Sequence, residues 1–257
     1  MKKVLSIVMV IALVATCMVA LFACGAPEDT LQVYTNAGFA PFEYVNSAGK
    51  VVGVDIDIMN YIGKELGYKV IINDIEFKDI LNQVQGSKLA VGAAGMSKND
   101  ERDKVATASI VYATSVQYVI APNGTFDADA VVTLDAILAA ADKIGVQAGT
   151  TGQYLIEDYI EEVEGKNTTV EYTNAIVAST DIGSTLQAVV IDELPAKSIA
   201  GANSNLSCWK IDAEPESYVL YFNKDAGDLV KKVNAVLEKM IKDGTINQYI
   251  INHSNGN

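Results

Sequence analysis

Histidine is all but missing from this chain: His253 is the single copy in 257 residues. That excludes serine–histidine triads and multi-histidine metal sites. Any chemistry must proceed without imidazole, which favours binding over catalysis, with no cofactor or metal implied. Cysteine is scarce too, at three residues, and five prolines with 19 glycines exclude collagen-like and proline-rich architectures. Positive charge is in short supply. Nineteen Lys and Arg stand against 32 Asp and Glu, for a formal net charge of −13 and a pI near 4.5. Such an acidic chain repels phosphate backbones, so nucleic acid is not an expected partner. Half of the residues are hydrophobic, 20% are charged and no tract is of low complexity, which argues against disorder. The length permits one large domain or two lobes, with enough chain for a core.

Charge is also absent from the N-terminal stretch. After Lys2 and Lys3 nothing is charged until Glu28, and Val4 to Phe22 is apolar apart from Ser6 and Thr16. A basic start followed by an apolar run is the pattern of a bacterial secretory signal. A membrane-spanning helix is the alternative, since about 20 apolar residues suffice to cross a bilayer. Leu21-Phe22-Ala23-Cys24-Gly25 decides between them, because it resembles a lipobox, in which the cysteine is lipidated and becomes the new N-terminus. The expectation is a lipoprotein signal peptide over 1–23, a lipid on Cys24 and a tether over 24–30, which together anchor the protein outside the cytoplasm. Loss of Lys2 and Lys3 takes the formal charge from −13 to −15. Cys208 is then the only thiol of the folded part, and no histidine precedes it to activate it. It reads as structural or incidental.

Periodicity gives the architecture. Leu31 to Thr35 alternates as a first strand, and Pro41, Asn46 and Gly49 mark a loop and hairpin. Asp55 can cap a helix over Ile56 to Leu66 that stops at Gly67. Strands at Lys69–Ile72 and Leu89–Ala94 flank a helical Phe77–Gln85. The rhythm repeats with strands at 116–121, 143–146, 169–172 and 188–191 and helices at 134–141 and 153–162. A strand at 218–222 and helices at 229–241 and 246–251 close the chain. Two successive α/β units imply two lobes, each a mostly parallel sheet flanked by helices, with a ligand cleft between them at the carboxyl ends of the strands.

Four loops at strand ends carry chemistry: Asn36 to Tyr44, Gly95 to Arg102, Gly149 to Gly152, and Ile191-Asp192-Glu193. Together they offer a fixed cation, hydroxyls, free amides, a carboxylate and aromatic faces. A guanidinium and helix-start N–H groups suit a carboxylate, a carboxylate suits an ammonium, and rings enclose a carbon chain. That inventory matches a free α-amino acid. Singly the pieces are ordinary. Arg102 sits in a charged run, Phe39 and Phe77 could be core, Gly-Thr-Thr could be a helix cap, and Asp192 could cap the next helix.

In this order along the chain, the motifs resemble those of the polar amino-acid-binding proteins, extracellular solute-binding proteins of amino-acid ABC importers. Thr35 to Tyr44, Gly53-Val-Asp-Ile-Asp-Ile58, Ala94-Gly-Met-Ser97 with Glu101-Arg102, Gly145 to Thr151, Val189-Val-Ile-Asp192 and Lys242-Asp-Gly-Thr245 carry the likeness. It implies a periplasmic-binding-protein-like fold with lobe 1 over 31–113 and 213–257 and lobe 2 over 114–212. Two crossing strands, near Tyr112 to Val116 and near Ile211 to Glu214, would join them. It also implies a monomer that delivers its ligand to an ABC permease. By position, Arg102 with the backbone at Ser97 and Thr151 would hold the ligand carboxylate. The Gly95 carbonyl, the Ser97 hydroxyl and Asp192 would hold the ammonium, and Phe39 and Phe77 would flank the side chain. Ala90 and Gln187 depart from the family's usual aspartates outside the expected site. Asn36 stands where binders of basic residues often carry an acid, so a neutral polar ligand is placed slightly ahead of a basic one. Gln147 would supply a second neutral contact. Related exported dehydratases share this fold and need a poised carboxylic acid, for which only Glu43 or Glu193 stands out; a ligand-sensing module is the third reading. Cys24→Ala should release the protein into the medium, and an intact mass showing unmodified Cys24 in the membrane fraction would refute the anchor.

Overall fold

A computed structural model describes residues 29–255. The expected signal peptide, Cys24 and the tether as far as residue 28 lie outside the described residues, while Thr30 already belongs to the first strand. In chain order the first part comprises β1 (Thr30–Thr35), β2 (Tyr44–Val45), β3 (Val51–Val52), α1 (Val54–Leu66) and β4 (Lys69–Asp74). A 3-10 turn at Phe77–Asp79, α2 (Ile80–Gln85), β5 (Ala90–Gly92), α3 (Asp100–Val105), β6 (Thr107–Ala108) and β7 (Ala113–Ser115) follow. The middle comprises β8 (Gln117–Pro122), α4 (Leu134–Ala140), β9 (Lys143–Gln147), α5 (Thr151–Glu162), β10 (Thr168–Tyr172), α6 (Ala175–Thr180), β11 (Ala188–Asp192), α7 (Glu193–Ala202) and β12 (Leu206–Lys210). The chain ends with β13 (Glu216–Tyr218), β14 (Tyr221–Phe222), α8 (Gly227–Lys242) and α9 (Thr245–Asn255).

These form two five-stranded sheets, β4-β1-β5-β14-β6 and β10-β9-β11-β8-β12. Each sheet is mixed. Three strands run parallel in each, and β14 and β6, or β8 and β12, add antiparallel pairings. The antiparallel strands follow from the route of the chain, which leaves the first sheet along β7 and re-enters it along β13. Those two crossing strands pair with each other, Glu216 opposite Ser115 and Tyr218 opposite Ala113. The second crossing strand thus falls at Glu216–Tyr218, later than the expected 211–214, because Ile211 still bridges to Val132 at the edge of the second sheet.

Local chemistry explains the elements. Strand β1 buries Leu31, Val33 and Thr35 on one face, the period of a half-covered strand. In α1 the buried Val54, Ile58, Met59 and Ile62 face the first sheet, and left-handed Gly67 ends the helix by donating its N–H to Gly63 O. Asp55 is not the expected cap; it lies inside the first turn, fully buried. The expected helix over 77–85 divides into the 3-10 turn and α2. Three short helices, α3, α6 and α7, and strand β12 carried no periodic signal, since two of those helices are six residues long and α7 holds Pro195 in its first turn. Among the described residues no helix is long and apolar enough to cross a membrane.

The lone histidine has a structural post. The Nε2 of His253 lies 2.9 Å from Asp57 Oδ2 and its Nδ1 lies 3.1 Å from the Tyr44 hydroxyl. With Nε2 protonated, the ring donates to α1 and accepts from the hairpin, so α9 is pinned to both. His253→Ala should lower the melting temperature by about 2–4 °C, the equivalent of roughly one net hydrogen bond. An unchanged melt would show that α9 docks by its apolar contacts alone.

Candidate functional site

Loops from both sheets meet between them. Beyond β5 the buried segment from Ala93 to Ser97 runs along the first lobe's upper edge, and Ser97 bridges to Tyr218 of β13. Gly95 has φ 52°, and a Cβ there would lie 2.6 Å from Phe39 Cε1. Only glycine lets that ring lie against the backbone. Asp55 fixes the turn from below, accepting the Gly95 N–H at 2.9 Å and the Tyr112 hydroxyl at 2.7 Å. Burial pushes the Asp55 carboxyl up to about 6, and these two bonds pull it back.

Arg102 crosses the gap. Asn99 caps α3 by accepting the Arg102 N–H at 2.8 Å, which sets the direction of the side chain. The guanidinium donates from Nη1 to Ser97 O at 2.7 Å and from Nη2 to Gly149 O at 3.1 Å, one carbonyl from each lobe. It lies over the Phe77 ring at 5.3 Å. Only 6% of the residue is exposed, and no carboxylate lies within ion-pair distance of it among the described residues. Burial alone lowers its pKa from the ordinary value.

The second lobe presents Gly149 to Thr151. Thr150 caps α5 by accepting the Gln153 N–H at 3.2 Å, and Gln153 Oε1 in turn accepts the Gly149 N–H at 2.7 Å. Asp192 stands at the end of β11 in the cap position of α7, yet its carboxylate makes no cap bond. It turns into the cleft and accepts the Tyr218 hydroxyl at 2.7 Å. Burial, then the negative charge of Glu216, pushes it up to about 7, against the pull of hydrogen bonds from Tyr218, Ser115 and Gln117. The Ser97 and Thr151 hydroxyls both donate to Glu216 Oε2, the latter at 2.8 Å.

A cavity of about 10 Å³ remains between the lobes, room for roughly one water. Phe39, Phe77, Gly95, Ser97, Arg102, Thr151 and Asp192, all singled out from the sequence, line it. Asn36 does not. Its amide donates to Ile75 O at 2.7 Å and its Oδ1 accepts from Gln147 Nε2 at 2.8 Å, so both ends are committed. Two further carboxylates belong to the site that the sequence reading left out of it. Glu216 is one. Glu43 is the other: it lines the cavity, is 1% exposed, and its Oε2 has no hydrogen-bond partner among the described residues. Burial raises its pKa well above the usual carboxylate range, and Asp55, Asp192 and Asp74 raise it further. Its signal in the sequence was its place between Phe42 and Tyr44, an acid among aromatics. Glu193, the other carboxylate singled out, pairs instead with Lys197 on α7. Among the described residues no group of three or more His, Cys, Asp or Glu is placed to hold a metal ion.

Two α/β lobes joined by paired crossing strands, closing a cation and carboxylates around a small cavity, define a hinged solute-binding protein. The chain belongs to the bacterial extracellular solute-binding proteins, family 3, whose model it matches over residues 31–253. It is 24% identical over 249 residues to the arginine-binding extracellular protein ArtP of Bacillus subtilis, covering 91% of this chain and 92% of that protein. An amino-acid ABC transporter substrate-binding protein of Streptococcus pneumoniae, solved with L-arginine, superimposes with a TM-score of 0.79 at 26% identity, covering 88% of this chain and 94% of that one. An ancestral arginine-binding protein solved with glutamine gives 0.78 at 29% identity, covering 89% and 99%. The protein acts outside the cytoplasm as a binding component of amino-acid ABC import, and it is not an enzyme.

Asp192 makes the fold pH-sensitive. A carboxyl raised in the folded state contributes stability that is fully present below its ordinary value near 3.8 and lost as pH rises through about 7. Asp192→Asn should therefore raise the ligand-free melting temperature more at pH 8 than at pH 5, by a margin of about 4–8 °C, on the order of 2 kcal/mol. Equal shifts at both pH values in thermal melts would show that Asp192 is already ionised when buried.

Proposed function

We propose that the cleft takes a free L-amino acid with a cationic side chain, of the arginine class, and closes around it for delivery to the permease. The observation that carries this is Glu43, a buried carboxylate that lines the same cavity as Arg102 and Asp192 and has one oxygen without a hydrogen-bond partner among the described residues. A buried charged group left unpaired is costly, and a cation arriving with the ligand removes that cost. The assignment is then electrostatic. Arg102 and the N–H groups at the start of α5 meet the α-carboxylate. Asp192 and the Ser97 hydroxyl meet the α-ammonium, and Glu43 meets the side-chain cation between the Phe39 and Phe77 rings.

The preference for a neutral side chain rested on Asn36, whose amide is spent on Ile75 and Gln147. Glu43 supplies instead the acid that position 36 lacks. The arginine bound by the Streptococcus protein supports this reading, while the glutamine bound by the ancestral protein keeps a neutral ligand as the alternative. Pockets for small molecules measure about 300–1,000 Å³, so the lobes must part about β7 and β13 to admit an amino acid. We further propose that the mature protein is a monomer held to the membrane by a lipid on Cys24, with residues 31–113 and 213–257 as one lobe and 114–212 as the other.

Calorimetry with L-arginine, L-lysine, L-ornithine, L-glutamine and L-cystine tests the assignment. Glu43→Gln should weaken arginine by about 1.5–3 kcal/mol, the worth of a hydrogen bond to a charged group, and leave glutamine unaffected. Arg102→Ala should weaken every amino acid by about 2–5 kcal/mol, because it leaves the carboxylate desolvated without its counter-charge. Wild-type protein that binds glutamine more tightly than arginine would overturn the basic-ligand reading.

A further inference from the structure

Glu216 belongs to neither lobe's site loops. It sits on crossing strand β13, opposite Ser115 of β7, in the hinge itself. Its carboxylate is nonetheless held by both lobes. Oε2 accepts the hydroxyl protons of Ser97, from the first lobe, and Thr151, from the second, and Oε1 accepts from Gln117 Nε2 at 3.0 Å. Ser97 and Thr151 line the cavity, whereas Glu216 lies beyond them, in a groove on the outer side with Gln117 and Tyr154. A hydroxyl has one proton and two lone pairs. When both protons point outward to Glu216, the lone pairs are left for the cavity side. An oxygen that must accept from a ligand ammonium needs this orientation.

We propose that Glu216 is the latch of the hinge: it ties the lobes together through Ser97 and Thr151 and, by taking the Ser97 proton, turns that oxygen into an acceptor for the ammonium of the bound amino acid. The second half rests on the amino-acid reading above; the first does not. Hinge opening draws Ser97 away from Thr151, and one carboxylate oxygen on the axis cannot follow both. Opening therefore breaks at least one charge-assisted bond, and closing remakes it. Glu216 is thus a positioning residue, and it acts on the ligand only through the Ser97 hydroxyl.

Small-angle scattering of the protein without ligand and with saturating L-arginine tests the latch, on wild type, Glu216→Ala and Glu216→Gln. Ligand-free wild type should scatter nearly as compactly as the arginine-bound form. Ligand-free Glu216→Ala should show a larger radius of gyration that arginine restores, with arginine affinity about tenfold weaker, as expected for the loss of a charge-assisted bond. Glu216→Gln should fall between the two. Its amide can still accept from the hydroxyls once Gln117, whose Oε1 has no partner, turns to receive its N–H groups. Circular dichroism checks folding, and Thr151→Val, which removes the same bond from the other side, gives the second route should Glu216→Ala fail to fold. Ligand-free curves of a folded Glu216→Ala, or in its place Thr151→Val, that superimpose on wild type would overturn the latch. Arginine affinity within twofold of wild type in folded Glu216→Ala, or in Ser97→Ala in its place, would overturn the orientation of the Ser97 hydroxyl. If wild type itself does not bind arginine, the ligand assignment fails and the ligand-free comparison alone decides the latch.

Discussion

The buried guanidinium of Arg102 is the constraint on which the cleft depends. Taking a cation out of water costs several kcal/mol unless its donors are met. Here two of its five N–H donors are met by backbone, Ser97 O from one lobe and Gly149 O from the other, with the Phe77 ring beneath. Neutral carbonyls satisfy the hydrogen bonds without cancelling the charge. The cleft therefore holds a net positive point that is anchored to both walls, and every loop around it is shaped to keep those two carbonyls in place. Asn99 aims the side chain, Asp55 holds the turn that leads to Ser97, and Gln153 braces Gly149.

Around that cation stand four buried or half-buried carboxylates in graded states of satisfaction. Asp55 has a backbone and a phenolic donor, Glu216 has three side-chain donors, and Asp192 has the Tyr218 hydroxyl with support from Ser115 and Gln117. Glu43 has an oxygen with none. The gradient matters more than the count. Groups already satisfied act as scaffold, because a ligand gains little by exchanging one good hydrogen bond for another. Burial pushes the Asp192 carboxyl up to about 7 and holds the Glu43 carboxyl well above the usual carboxylate range. They are where an incoming positive charge changes the energy.

The features legible in the sequence were those with short-range signals. Strand β1, helix α1 with its terminal Gly67 and the Gly-Thr-Thr turn before α5 follow from alternation, helical period and capping chemistry. Arg102 was ambiguous taken singly, since Asp100, Glu101 and Lys104 around it are exposed and the run reads as a solvated face; the loop inventory and the family resemblance together picked it out. Capping rules misled at Asp55 and left Asp192 ambiguous, because each stands at a helix start while its carboxylate serves a partner far along the chain: Gly95 and Tyr112 for one, Tyr218 for the other. Glu216 carried no local signal at all. It meets Ser97 across 119 positions, through a crossing strand only three residues long. The hydrogen bond of Asn36 was equally out of reach of local rules: its partner Gln147 lies in the other lobe, 111 positions away.

These long-range bonds also define what ligand binding can and cannot contribute. The closed geometry is already joined across the cleft by the chain's own groups: Asn36 with Gln147, Arg102 with Gly149, and Ser97 with Thr151 through Glu216. A ligand shifts the open–closed balance only by its differential affinity for the closed form. Much of what an α-amino acid offers replaces bonds that this form makes without it, so the shared backbone of the ligand secures geometry more than preference. The unmatched oxygen of Glu43 has no such internal substitute. On the proposed reading, discrimination among amino acids falls to a contact that the closed protein does not make by itself, and a side-chain cation is the group that makes it.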